Sequence, residues 1–391
     1  MVEWPVRELG DLCTRITVGH VGSMASRYVP RGIPFLRSQN VKPGRINLSS
    51  LKFIDKEFHD KLTKSQLNAG DLVIVRTGEP GVAAVIPHGM GSMNCSDLVI
   101  ARPAADVDVR FLCYAINETA TGFVRAHVVG AVQQHFNVSS AKRLTIRLPP
   151  IDEQQRIVGV LGALDDKIAL NNRIAVTAEE LCRNVFSEKS WEARTSVESI
   201  AILRKEQVSP AVLSEQTVAH YSLPAFDSEK LPEITDPCAI KSSKFVVPES
   251  AVLFSKLNPD IPRVWNVAPE LNIPALASTE FLVLEARSGV TTAELWAVLC
   301  QPGLLSSLAS KVTGTSKSHQ RVRPAEVMAS AVVDPRELGD CRGQVQSLAE
   351  RIARARNESR TLATLRDTLL PQLMSGKLRV REAEKIVEDA V

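Results

Sequence analysis

From Ile157 to Val185 the apolar and small residues Ile157, Leu161, Leu164, Ile168, Asn171, Ala175, Ala178, Cys182 and Val185 recur at alternating spacings of four and three. That is a heptad seam, and it predicts a long helix paired with another helix. The partner lies 184 residues further on: Val345, Leu348, Ile352, Ala355, Ser359, Leu362, Arg366 and Leu369 repeat the same phase. Leu161, Leu164, Ile168, Leu348, Ile352 and Leu362 are the expected pairing positions, and Asn171, Ala175, Ala355 and Ser359 near the middle would allow close approach and fix the register. Helices of about 35 residues would each be about 50 Å long.

The same long period governs the rest of the chain. Trp4 with Arg7 matches Trp191 with Arg194. Gly70-Asp71-Leu72-Val73-Ile74-Val75, followed by Pro80, Val82 and Val85, matches Glu249-Ser250-Ala251-Val252-Leu253-Phe254, followed by Pro259, Ile261 and Val264. Each reads as a buried strand, a turn and a second strand. Ser96-Asp97-Leu98-Val99-Ile100 matches Thr279-Glu280-Phe281-Leu282-Val283, and helical segments follow at Arg110 to Ile116 and Ala293 to Leu299. Gly130, His135, Val138 and Ala141 return 184 residues later as Gly314, His319, Val322 and Ala325. A shared order of strand, turn, strand, helix and glycine loop points to duplication. The expected organisation is a recognition-type domain over 1–150, a long helix over 151–190, a second domain over 191–335, a second long helix over 336–379 and a tail over 380–391. Pro371 should kink or end the second helix, with Ser375-Gly376-Lys377 as its cap, and the charged tail from Val380 reads as a frayed helix or linker.

Composition changes this picture little. With 391 residues, 44% apolar and 23% charged, the chain can bury two or three cores without staples. A net charge of +3 means that any nucleic-acid surface must be a local patch. The seven cysteines are scattered with no Cys-x-x-Cys pair, which argues against a zinc site or disulfide framework and for a reducing cytoplasm. Neither a leader peptide nor a run of 18 apolar residues is evident, so the chain reads as neither secreted nor membrane-spanning.

Catalytic patterns are missing. Gly376-Lys377 is followed by Leu378 and lacks the earlier glycine of a phosphate loop. Asn258-Pro259-Asp260-Ile261 lacks the second proline and aromatic of the amino-methyltransferase motif. Asp165-Asp166-Lys167 falls on the first long helix, where a solvated face is expected, and no Glu-x-Lys accompanies it as a two-metal nuclease would need. The chain also lacks Gly-x-Ser-x-Gly and His-Glu-x-x-His, and its seven histidines have no ligand-like spacing. No metal site is expected.

The glycine loops are better candidates for nucleic-acid contact. Lys311 to Arg323 carries four positive charges (Lys311, Lys317, Arg321, Arg323) and no carboxylate, and Gly314 and Thr315 would let backbone amides approach phosphate. His319 and Gln320 add side chains that can meet base edges. The first-half counterpart offers Gln133, Gln134, His135, Asn137 and Lys142. Weaker candidates of the same kind are Arg37, Gln39, Asn40, Arg76 and Thr77, with Lys256 and Asn258 in the second half. Each of these segments could equally be an ordinary solvated turn.

These residues resemble the specificity subunits of type I restriction-modification systems. The likeness rests on Trp4 to Leu12, Gly32-Ile33-Pro34-Phe35-Leu36-Arg37 with Asn40, Ala69-Gly70-Asp71-Leu72 and His220-Tyr221-Ser222-Leu223-Pro224-Ala225-Phe226-Asp227. Leu148-Pro149-Pro150-Ile151 leading to Ile157, and Leu365 to Lys377, are similar to that family's long helices. The resemblance implies a mixed α/β fold: two similar target recognition domains, separated by two long antiparallel helices that form a coiled coil with pseudo-two-fold symmetry. It further implies a non-catalytic subunit that reads a bipartite double-stranded DNA target and docks two modification subunits, with restriction/translocase subunits where present. S-adenosylmethionine, ATP and Mg would then be held by those partners and not by this chain. Before the second helix Val333-Asp334-Pro335-Arg336-Glu337-Leu338 departs from the family pattern, so that helix is expected to begin differently. Gly32-Ile33-Pro34 has no clear equal near Tyr221, so the two half-sites should differ. The rival readings are a self-contained DNA methyltransferase or nuclease with fused recognition domains, and a coiled-coil adaptor that binds no nucleic acid.

Overall fold

The computed structural model describes residues 4–48, 50–126, 136–185, 192–213, 216–228, 230–268, 273–311 and 320–390, the side chains of 121–126 excepted. The chain forms two compact units, Met1–Ile168 with Thr361–Val391, and Ala169–Arg360, whose boundaries fall inside the two long helices.

In the first unit an antiparallel sheet has the order Cys13–Val18, Leu98–Pro103, Leu72–Val75, Ala83–Val85. The strand Leu72–Val75 is apolar at every position because both its faces are covered. Leu72 and Ile74 pack with Phe111, Leu112 and Ile116 of the helix Val109–Ala126, while Val73 and Val75 pack with Leu36, Val41 and Met93 on the other side. A second sheet orders Lys52–Ile54, Ile33–Leu36, Met93–Cys95 and Gln66–Leu67, with the two central strands parallel. Val6–Glu8 pairs with Thr145–Arg147 and brings the chain to the first long helix.

The second unit repeats this plan. Its sheet of Ala201–Arg204, Phe281–Ala286, Ala251–Ser255 and Val264–Val267 is antiparallel throughout, and its buried central strand again splits its side chains between two cores. The other sheet runs Gln207–Val208, Lys244–Val246, Ala275–Ala277, Val218–Tyr221, Glu233–Thr235, with Val218–Tyr221 parallel to Ala275–Ala277. Arg194–Ser196 pairs with Ala331–Val333 as Val6–Glu8 does with Thr145–Arg147. The Gly32-Ile33-Pro34 segment therefore does have an equal near Tyr221: Val218–Tyr221 holds the same place beside its parallel neighbour. The sequences differ so far that only the hydrogen-bond partners reveal it.

The long helices are Ile151–Asn184 and Cys341–Met374, 34 residues each. Within the first unit Ile157, Leu161 and Leu164 share a core with Leu362, Leu369 and Leu373, and Ile168 packs at its edge. Within the second, Ala175, Ala178 and Cys182 share one with Val345, Ala349, Ile352 and Ala355, and Leu348 packs at its edge. There the helices run antiparallel: Asn171 Nδ2 donates to Glu358 Oε2 at 2.9 Å, and Glu179, further along the first helix, meets Arg356, earlier on the second.

Three expectations change. The second helix runs past Pro371 to Met374. A proline in the last turn removes a single backbone donor there, and Gly376, with φ of 69°, closes the helix as the cap residue. The segment Val380–Ala390 is a helix docked on the first unit's core through Val380 and Ala383, with Val387 against it, and so is neither frayed nor a linker. Asp166 and Lys167 are exposed as expected, but Asp165 is half-buried and paired: it accepts from the Tyr114 hydroxyl and from Arg366 Nη1 at 2.7 Å. Before the second helix a 3-10 turn, Pro335–Glu337, and Gly339 intervene, so it does begin differently from the first, which Pro149 and Pro150 precede directly.

Candidate nucleic-acid interface

In each unit the turn after the central buried strand meets the segment that returns from the glycine loop. In the first, the backbone N–H of Phe136 donates to the Arg76 carbonyl at 3.1 Å, and the buried Phe136 ring anchors that contact in the core. In the second, Asn258 N–H donates to the Gln320 carbonyl at 2.9 Å, Val322 N–H donates to the Lys256 carbonyl at 3.0 Å, and Leu257 bridges Arg321. The turn residue Gly78 has φ of 97° and Asn258 has φ of 48°, a left-handed backbone that glycine takes freely and asparagine better than most.

A carboxylate stands at the same place in both units, one residue before the strands Leu98–Pro103 and Phe281–Ala286. Asp97 accepts from Arg76 Nη1 and, at 3.4 Å, from the Thr77 hydroxyl. Glu280 accepts from Arg321 Nε at 3.0 Å and Nη2 at 2.8 Å. That two-handed contact is the main reason the Glu280 carboxyl lies below its ordinary range. The two arginines come from different segments, Arg76 from the strand end and Arg321 from the returning loop, yet both are delivered to the same carboxylate position.

Other candidates serve local structure. Asn40 is fully buried: its Oδ1 accepts from Arg37 N–H at 3.0 Å and its Nδ2 donates to the Asn47 carbonyl at 3.0 Å. As it stands it shapes a turn and presents no edge to a duplex, contrary to its reading as a base-contacting group. Arg37 Nη2 donates to the Ser50 carbonyl at 2.8 Å, and Gln39, exposed, donates to Ser50 Oγ at 3.2 Å. Asn137 caps the helix Val138–Lys142 by accepting from Ser140 N–H at 2.9 Å, which leaves exposed Lys142 in its last turn. Lys311 lies 3.7 Å from Glu326, and Arg323 is exposed at the start of the helix Pro324–Met328. Gln133, Gln134, His135, Thr315, Lys317 and His319 lie outside the described residues. Among the described residues no group of three His, Cys, Asp or Glu side chains is arranged to hold a metal, and no helix is long and apolar enough to cross a membrane.

The family described as type I restriction modification DNA specificity domain matches residues 1–180. A curated protein of Methanocaldococcus jannaschii, named as the MjaX type I restriction enzyme specificity subunit, is 23% identical over 215 residues, covering 49% of this chain and 48% of its own length. The chain thus spans about half the length of the curated relative it matches. The crystal structure of the S subunit of a type I restriction-modification system from M. genitalium superposes with a TM-score of 0.55 at 15% identity, covering 95% of this chain and 96% of that one. Residues 1–180 are thus similar to the DNA specificity domains of type I restriction-modification systems. The likeness to the M. genitalium structure is one of fold, and it extends to the half of the chain that the family match leaves uncovered. A crystal structure of the HsdS subunit from Thermoanaerobacter tengcongensis aligns over 96% of this chain and 97% of that one, at 16% identity with a TM-score of 0.37.

The residues that sequence reasoning passed over are carboxylates. Asp97 and Glu280 sit at matched places in the repeat, which was the available signal; their partners, 21 and 41 residues away, gave none. Glu179 is a third: nearly buried on the first long helix, it binds Arg356, Lys230 Nζ at 2.6 Å and Arg183 Nη2 at 3.4 Å.

Proposed function

We propose that the chain is the non-catalytic, sequence-reading subunit of a type I restriction-modification complex, binding a bipartite, asymmetric double-stranded DNA target and docking modification subunits. The observation that carries the reading is the doubling of one sheet plan, each copy joining a strand-end turn to a returning segment that bears arginine, amide and lysine side chains. Groups of this kind read base edges two-handed at ~1 to 3 kcal/mol per good contact, while lysines supply salt-dependent phosphate affinity. The different strand endings in the two copies support two unlike half-sites.

The expected partners are DNA, two methyltransferase subunits and, where the system restricts, translocase subunits. S-adenosylmethionine, ATP and Mg belong to those partners, and the complex would work in the cytoplasm. The test is methylation mapping of DNA from cells that express the chain with its modification subunit. A single two-part motif with a fixed gap is the expected result, and methylation that does not depend on this chain would overturn the reading. In the same complex, Lys317→Ala with Arg321→Ala should weaken binding to a duplex carrying the mapped motif while leaving assembly intact; undiminished affinity would remove that loop from the interface.

A further inference from the structure

The Glu280–Arg321 pair is puzzling if it serves only the fold. Both side chains are substantially exposed, at 28% and 45%, and an exposed ion pair contributes little stability. The carboxylate also stands among cations: Lys256 is close enough to act on it, and Arg323 follows Arg321 by two residues. A negative charge there weakens attraction to phosphate, so in a surface built only for affinity it would be a defect. The other unit has a carboxylate at the same point, Asp97, again holding an arginine.

Resting on the reading above, we propose that Glu280 is a specificity-determining positioning residue: it holds the Arg321 guanidinium in one plane so that the arginine meets a base edge and not merely the nearest phosphate. The geometry suits this. Two bonds of 3.0 and 2.8 Å to one carboxylate fix both the tilt and the rotation of a planar group. The backbone on each side is fixed as well, since Lys256 N–H donates to the Glu280 carbonyl at 2.9 Å and Val322 N–H to the Lys256 carbonyl at 3.0 Å. An arginine ordered before contact loses less freedom on binding, and a base edge offset from its plane is refused. Without the carboxylate the same arginine loses these two bonds, is held less firmly in that plane, and has greater attraction to any phosphate.

The test uses the full chain with its modification subunit and compares wild type with Glu280→Gln and Arg321→Lys by methylation mapping, with melting curves taken in parallel. Glu280→Gln should leave the melting temperature nearly unchanged and make one or two positions of a single half-site degenerate, the other half-site staying strict. Arg321→Lys should relax the same positions, and the double variant should relax them no further. In binding to a duplex lacking the motif, Glu280→Gln should be equal to wild type or several-fold tighter. An unchanged motif in Glu280→Gln would overturn the proposal, as would loss of all methylation with a lowered melting temperature, which would mark the pair as structural. If wild type itself yields no bipartite motif, the functional reading fails instead, so the two failures are distinguishable.

Discussion

In the first unit the strand Ile33–Leu36 passes into a 3-10 turn, Ser38–Asn40, closed by the buried Asn40 side chain; in the second the equivalent strand Val218–Tyr221 passes into the helix Leu223–Ser228. Around the first, Tyr28 packs edge-on against Phe35. Around the second, Trp265 takes Tyr221, Phe226 and Phe281 edge-on, with ring centroids 4.9, 5.6 and 6.5 Å away. The main sheets beneath agree strand for strand among the described residues, save for one added edge strand, Gln207–Val208, in the second unit; the first adds a small hairpin of Val41–Lys42 with Arg45–Ile46. The difference shows which part of a duplicated domain is free to diverge. The buried strands are constrained on both faces by packing, whereas the chain leaving a sheet edge needs only to satisfy its own backbone groups.

The helix seam sharpens the contrast, because it should respond alike in both units. Leu164 is 2% exposed in the first unit's core and Ile352 is 5% exposed in the second's. Leu164→Asp or Ile352→Asp would leave a carboxylate among apolar groups with nothing to pair it, a change on the order of 4 kcal/mol or more. Thermal melting is the check. A shift of only a degree or two in either variant would mean that the seam does not hold that unit together.

The ionic contacts of the first long helix should behave unequally. Glu179 is 6% exposed and answers three cations, while Asp165 is 31% exposed and answers Tyr114 and Arg366. Glu179→Ala would strand Arg356, whose side chain is 15% exposed, and cost about 3 kcal/mol or more. Asp165→Ala should cost about 1 kcal/mol, since water reaches both partners. Equal losses in urea titrations would show that burial does not set the difference.

Asn40 supplies a smaller effect confined to the first unit. Removing its amide breaks the bonds to the Arg37 N–H and the Asn47 carbonyl, so Asn40→Ala should cost about 1 to 3 kcal/mol. The second unit has the helix Leu223–Ser228 at this place, so the effect should stay within the first. Hydrogen exchange at Arg37 and its neighbours would report it directly, and unaltered protection there would remove the turn from the account.

These magnitudes also explain what the sequence made legible. Periodic burial was readable: the heptad spacing located both helices, and the run Leu72 to Val75 marked a strand covered on both faces. Polarity was misleading where a polar side chain bonds locally, as with Asn40, because composition cannot tell a base-reading amide from one spent on its own turn. Asp165, Asp97 and Glu280 became meaningful only with their partners, 201, 21 and 41 residues away, in place. The match between Ile33–Leu36 and Val218–Tyr221 resides in hydrogen-bond pattern alone, which side-chain identity does not encode.

The smallest expected effect concerns pH. The Glu280 carboxyl lies below its ordinary value of 4.5, chiefly because Arg321 donates to it, so the folded chain holds the carboxylate more readily than the unfolded one does. A depressed carboxyl contributes stability that is fully present above the unfolded value and is lost as pH falls through the folded one. Wild type and Glu280→Gln should therefore differ in melting temperature by a small constant amount above about pH 5.5, and the curves should converge as the solution is acidified below about pH 4. Because both side chains are wet, salt should shrink the gap as well. A gap that persists unchanged at low pH would show that the glutamine variant acts through packing, and that the carboxylate's charge is not what holds Arg321.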